Sequence, residues 1–297
     1  CGDEFFAIAR EKNLNYLYEA SVGGGIPIIR PLGSCLAANE ITEIYGILNG
    51  TTNYILTKMI KEGLSFDTAL AQAQEKGYAE ADPTADVEGF DACRKICILA
   101  SLSFGRHIYP AQVPTQGITG ITSEDVALAE AAGMKIKLLG RAVRQEDGKV
   151  VAYVAPHLIP EDQQLAGVED VFNGIVVRGD AIGDVMFYGR GAGKLPTASA
   201  VSADIIDAVK HKERRQNMDW DLGGDDVVGD FTALPLRWYI RTEERDVRIG
   251  TVFGDVETVS APGMLGETAV FTAPLTKKEL DRKLEAFHGL TCLPVLE

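Results

Sequence analysis

The sequence predicts an α/β chain of α+β character: a mixed or antiparallel sheet covered by helices, followed by a small βαββαβ unit in ferredoxin-like order. Three observations predict it. The length, 297 residues, suffices for one large domain or two, each with its own core, and two is the division adopted here. Four strand-like runs, "KIKLLGRAVR", "KVVAYVAPHLI", "GIVVRGD" and "DVMFYGR", crowd the interval 134–190. After 230, "LRWYIRTEE", "DVRIGTVFGD", "VETVSA", "GETAVFTAP", "TKKELDRKLEAFHG" and "TCLPVLE" alternate as strand, helix, strand, strand, helix, strand.

In chain order, residues 3–12 suit a helix and "LNYLYEA" at 14–20, rich in β-formers, suits a strand. "SVGGGIPIIRPLG" interrupts regularity with three consecutive glycines and two prolines, the mark of a close-approach loop or a domain crossing. Residues 35–48 read as a short helix and then a strand. "NGTTNYILTKMIKEG" opens with polar cap chemistry before an amphipathic helix. The helix at 65–76 has Ser65 as its N-cap and Gly77 at its end. A further helix occupies 86–104, and "GRGAGKLPTASAVSADIIDAVK" leads from a glycine cluster into another. The charged, Gly- and Asp-rich stretch 210–230 reads as a linker.

Composition sets limits on function. With 29 Lys plus Arg against 43 Asp plus Glu, the formal charge is −14, which repels nucleic acid and anionic membrane. The basic cluster "KHKERR" at 210–215 is itself interrupted by a glutamate. Five cysteines, an odd number without CxxC spacing, indicate free thiols in a reducing cytoplasm; Cys93 and Cys97, four apart, share a helix face as small core residues. No apolar run approaches the ~20 residues that span a bilayer, and the amino terminus carries no basic-then-apolar signal pattern.

Chemistry concentrates in "YAEADPTADVEGFDACRK", residues 78–95, where five carboxylates precede an Arg-Lys pair. Asp82 before Pro83 is a turn or helix-start signal. On a helix, Asp91 and Lys95 lie at i and i+4 and can pair, while Ala92, Ile98, Leu99 and Leu102 place the lysine on an apolar stripe. A lysine so placed beside a carboxylate is suited to proton exchange; the alternative is a surface pair worth ~0.3 to 0.5 kcal/mol. Glu80, Asp82 and Asp86 in the preceding loop suit a cationic ligand such as an ammonium. A divalent metal is the rival occupant, but no histidine accompanies the acids and the spacing of a calcium loop is absent.

These residues carry a resemblance. "AQEKGYAEADPTADVEGFDACRK", from Ala73 to Lys95, resembles the signature of homoserine dehydrogenases, and the likeness extends through "EASVGGGIPIIRPL", "GILNGTTNYIL" and "GAGKLPTASAVSADII". The resemblance implies an NAD(P)-dependent oxidoreductase interconverting L-homoserine and L-aspartate 4-semialdehyde in threonine, methionine and isoleucine synthesis. It implies Lys95 as the catalytic proton donor. Glu80, Asp86, Asp91, Tyr78, Gly50 and Thr51 would bind substrate, and Gly191 and Gly193 would approach NAD or NADP. Glu19, Val22, Gly24 and Ile26 would hold a monovalent cation, sodium, largely through carbonyls; a plain glycine hinge is the other reading of that loop, and both can hold.

The family's amino-terminal strand, GxGxxG loop and helix have no counterpart here, so the chain is expected to be a substrate-side fragment, inactive alone. The implied domains are 1–24, a remnant of the dinucleotide-binding domain; 25–190, catalytic and dimerising; 191–210, returning to the nucleotide-binding domain; 211–229, linker; and 230–297, resembling an ACT domain. Such modules often bind an amino-acid effector such as threonine, although "TEERDVRIGTVFGD" lacks the usual Asp-Arg-Pro-Gly turn. A homo-oligomer, dimer or tetramer, is the expected assembly.

Overall fold

The structure, a computed structural model, describes residues 2–213, 218–242, 247–264, 266–285, 287 and 290–297. Cys1, the end of the basic cluster at 214–215 and residues 243–246 lie outside the described residues.

The larger sheet has five strands, β1 (Ile41–Ile47), β2 (Met134–Arg144), β3 (Val150–Pro160), β4 (Phe172–Gly179) and β5 (Gly183–Arg190). Their order is β3-β2-β1-β4-β5, and every neighbouring pair is antiparallel. Of the two arrangements the sequence left open, the antiparallel one is therefore adopted. Three helices cover one face: α3 (Gly50–Glu62), α6 (Phe90–Phe104) and α7 (Ser123–Ala131). Ile44, Leu48, Ile55, Ile96, Leu99 and Ile136 are fully buried between these layers. On the sheet itself Glu43 is buried between Arg141 and Arg178, each 2.6 Å away.

The remaining helices of this unit are α1 (Gly2–Lys12), α2 (Ile29–Gly33), α4 (Phe66–Glu75), α5 (Thr84–Val87) and α8 (Lys194–Lys210). Local chemistry explains α4: the Ser65 hydroxyl accepts the Thr68 N–H at its start, as its sequence anticipates. Three expectations change. Residues 14–18 form no strand, because no ladder partner lies alongside; the Tyr16 and Tyr18 rings instead pack against Phe6, and Tyr18 also meets Trp220. The helix expected near 35 lies earlier, as α2, and 35–40 is a turn. Finally, 86–104 is two helices, because Gly89 takes a left-handed φ of 81° and turns the chain between α5 and α6.

Residues 218–229 form a strap tied to the larger unit: the Asp221 N–H donates to Gly105 O, the His107 N–H returns to Asp221 O, and the Gly229 N–H donates to Val150 O. Beyond it come β6 (Pro235–Leu236), β7 (Trp238–Thr242), α9 (Val247–Phe253), β8 (Glu257–Val259), β9 (Thr268–Phe271), β10 (Leu275–Thr276), α10 (Lys277–Leu284) and β11 (Thr291–Pro294). The second sheet runs β11-β7-β9-β8, antiparallel throughout, which is the strand order of the anticipated βαββαβ arrangement. It is packed onto β3: Val151, Tyr153 and Ala155 share a core with Leu236, Trp238, Ile240 and Leu280. Asp125 on α7, fully buried, accepts from Arg241 Nε at 2.8 Å and from the Tyr239 hydroxyl at 3.1 Å, which fastens the second sheet to the helical layer.

Candidate active site

The centre of the site lies where β1 ends and α3 and α6 begin. Asn49 is the N-cap of α3: its Oδ1 accepts the Thr52 N–H at 2.9 Å, satisfying a donor the helix leaves unpaired. That bond aims the amide nitrogen the other way, where Nδ2 donates to Asp86 Oδ1 at 2.7 Å and to Asp91 Oδ2 at 2.8 Å. One turn along α6, Lys95 Nζ donates to the same Asp91 oxygen at 2.6 Å and to the carbonyl of Leu48 at 3.0 Å. The Lys95 and Asp91 side chains are 20% and 25% exposed, so the pair is neither a free surface bridge nor sealed in the core. An ammonium has three N–H groups, and among the described residues two of them have acceptors here.

The structure thus joins Asp86, Asp91 and Lys95 into one hydrogen-bonded group. Gly50 and Thr51 are next to Asn49 in α3's first turn. The Thr51 hydroxyl donates to Tyr78 O at 2.6 Å, drawing the 78–82 loop to the helix. The Tyr78 ring meets Tyr54 edge-on, with centroids 5.2 Å apart, and is otherwise exposed. Glu80 is in that loop, exposed; its backbone carbonyl accepts from Gln74, and its carboxylate joins none of the bonds described. Asp82 does the local work its position suggests, accepting from the Thr84 N–H and hydroxyl as α5 begins, and those two donors hold its carboxyl below the ordinary range.

Behind Gly50 sits the 168–172 segment: a Cβ on Gly50 would press on Val171 O at 2.9 Å. Asn53 Nδ2 holds that segment through the carbonyls of Val168, Asp170 and Phe172 at 3.0 to 3.2 Å. Lys137 Nζ, buried in the sheet, donates to Asn53 Oδ1 at 3.0 Å and Val168 O at 2.6 Å, and burial pushes it down to about 8. Asn49, Leu48, Asn53 and Lys137 were not reached from sequence. Asparagine before a helix is legible as a cap, but nothing local shows that its free N–H groups meet two carboxylates, one from α5 and one from α6.

The glycine loop and the GRGAG segment lie together. Gly23 and Gly24 take left-handed φ values of 74° and 51°, the Gly25 N–H donates to Arg190 O, and a Cβ on Gly24 would strike the Gly191 carbonyl. Val22 and Ile26 flank this turn and are buried. Glu19 is buried too: Oε1 accepts the N–H groups of Ile28 and Ile29 at 2.7 and 2.8 Å, and Oε2 that of Arg30 at 2.9 Å. Its carboxylate thereby caps α2. A cation in this loop would depend on carbonyl oxygens, and among the described residues no cluster of three or more His, Cys, Asp or Glu is placed to hold a metal. A Cβ on Gly191 would strike the buried Asn173 amide, so packing alone demands glycine there; Gly193, with φ of 120°, is exposed at the start of α8. Cys93 and Cys97 are buried on α6, and no helix among the described residues is long and apolar enough to cross a membrane.

A family model described as homoserine dehydrogenase matches residues 27–206. The homoserine dehydrogenase of Synechocystis is 51% identical over 211 residues, 70% of this chain and 49% of that protein. That of Neisseria gonorrhoeae is 48% identical over 316 aligned residues, 98% of this chain and 72% of its relative. The crystal structure of a homoserine dehydrogenase from Thiobacillus denitrificans matches with a TM-score of 0.86 at 35% identity, covering 100% of this chain and 73% of that one. A hyperthermophilic archaeal homoserine dehydrogenase mutant in complex with NADPH matches at 0.59 and 32%, covering 70% and 60%. The chain spans about half the length of the Synechocystis protein and 58% of a Pseudomonas aeruginosa relative. By the family match and by these identities, the chain belongs to the homoserine dehydrogenase family.

Proposed function

We propose that this chain is the substrate-side part of an enzyme that interconverts L-homoserine and L-aspartate 4-semialdehyde with NAD or NADP, a step of threonine, methionine and isoleucine synthesis. The observation that carries the proposal is Lys95, held from two sides by Asp91 and Leu48 with one N–H left over. In the reducing direction Lys95 Nζ gives a proton to the substrate carbonyl oxygen as charge grows there; in oxidation the amine takes the hydroxyl proton back. Asp86 and Asp91 meet the substrate ammonium, Glu80 approaches from its exposed loop, and Tyr78, Gly50 and Thr51 line the site.

The nicotinamide cofactor supplies the hydride acceptor or donor. The bare turn at Gly193 fits the close approach of such a group: no L side chain sits easily at its φ of 120°, and the nearest atom to a built Cβ is Pro196 Cδ at 3.5 Å. Gly191 and Gly193 are the residues that would meet it. A sodium ion would bind the carbonyls of Val22, Gly24 and Ile26, with Glu19 shaping the loop. We divide the chain into 1–24, 25–190, 191–210, 211–229 and 230–297; the 4-1-3-2 strand order of the last part supports an ACT-like module with threonine as candidate effector, and a cytoplasmic homo-oligomer accords with the family. Joining the chain to the nucleotide-binding half of the Neisseria relative should give homoserine-dependent reduction of NAD or NADP. A folded, cofactor-binding chimera with no such activity overturns the assignment.

A further inference from the structure

We propose that Asn49 is a positioning residue for the substrate ammonium: one N–H to Asp86 and one to Asp91 set the two carboxylates side by side as the seat for the positive charge. This rests on the functional reading above and goes beyond it. Bonds of 2.7 Å and 2.8 Å from a single nitrogen hold the two carboxylate oxygens within 5.5 Å of each other. At that separation, partly shielded from water, two like charges repel, and the repulsion favours one of them swinging away. A neutral two-donor amide offsets this without neutralising either charge, which an arginine or lysine at the same place would do.

The amide has no freedom to turn round. Its oxygen accepts from the Thr52 N–H at 2.9 Å and lies 3.1 Å from the Thr52 hydroxyl, and Asn49 is buried. The remaining oxygens, Asp86 Oδ2 and Asp91 Oδ1, accept no hydrogen bond among the described residues, and both side chains are part-exposed. They are left for a ligand. Because Asp91 also carries Lys95, the same amide sets the distance between the ammonium seat and the proton donor.

Serine and aspartate both cap helices well, so Asn49→Ser and Asn49→Asp keep an acceptor for the Thr52 N–H while removing the paired donors. By calorimetry with L-homoserine at pH 7.5, Asn49→Ser should bind about tenfold more weakly than the parent chain, with its melting temperature little changed. Asn49→Asp places a third carboxylate against the first two; its binding relative to the parent should be poorest at pH 8 and improve towards pH 5.5, where the new carboxyl takes up a proton and can donate. Parent-like binding by Asn49→Ser, or an Asn49→Asp deficit equal at both pH values, overturns the inference and leaves the functional reading standing. Failure of the parent chain itself to bind homoserine overturns both.

Discussion

Lys95 donates to the main-chain carbonyl of Leu48 at 3.0 Å, a bond that ties the middle of α6 to the end of β1. The Asp91 contact alone would be an ordinary i,i+4 pair. With Leu48 as second acceptor, the ammonium is fixed against the sheet and its last N–H has a direction. In the chimera described above, Lys95→Met and Lys95→Arg should both fold and both lose homoserine oxidation by about 10² to 10⁴-fold, since arginine keeps the charge but does not release its proton. Near-normal turnover in either variant would remove Lys95 from the chemistry.

Glu19 holds three consecutive N–H groups, of Ile28, Ile29 and Arg30. Glu19→Gln turns an N–H donor towards one of them, so two donors face each other. The expected cost is about 1 to 3 kcal/mol by urea denaturation, with faster hydrogen exchange at those three amides. Unchanged exchange would mean that α2 is held by something else.

Lys137 gives a pH signature. Burial lowers it from 10.5 to about 8, so between those values the unfolded chain binds more protons than the folded one and stability rises with pH. Below pH 8 both states are protonated and the cost of the buried charge is present in full. Measured against Lys137→Met, the native chain should gain about 3 kcal/mol as pH rises from 8 to 10.5. A flat difference across that range would show that the ammonium reaches solvent in the folded state.

Arg241 is the partner of the fully buried Asp125 and also pairs with Glu267 at 3.0 Å. Removing it as Arg241→Met leaves a carboxylate in the core whose remaining donors among the described residues are the Tyr239 hydroxyl and the Thr122 N–H and hydroxyl. The loss should be about 3 to 5 kcal/mol, most of it recovered in the double variant Asp125→Asn with Arg241→Met. Equal instability of single and double variants would place the cost in lost arginine packing rather than in the stranded charge.

Sequence alone determined the features whose physics is local. Ser65 caps α4 because a hydroxyl can bond an amide three residues on, Asp91 meets Lys95 because a helix brings i and i+4 together, and the alternation after 230 foretells the second sheet because each segment carries its own periodicity. Tertiary structure decided what depends on partners distant in the chain. Residues 14–18 have strand-forming side chains but no ladder, α2 has no cap of its own and borrows Glu19 from ten positions away, and the four strand-like runs say nothing by themselves of the order β3-β2-β1-β4-β5. The candidate site divides in the same way. Its lysine and acids are legible as residue types, whereas the Leu48 carbonyl and the Asn49 amide that fix their geometry carry donors and acceptors any sequence has, and only folding selects which of them meet.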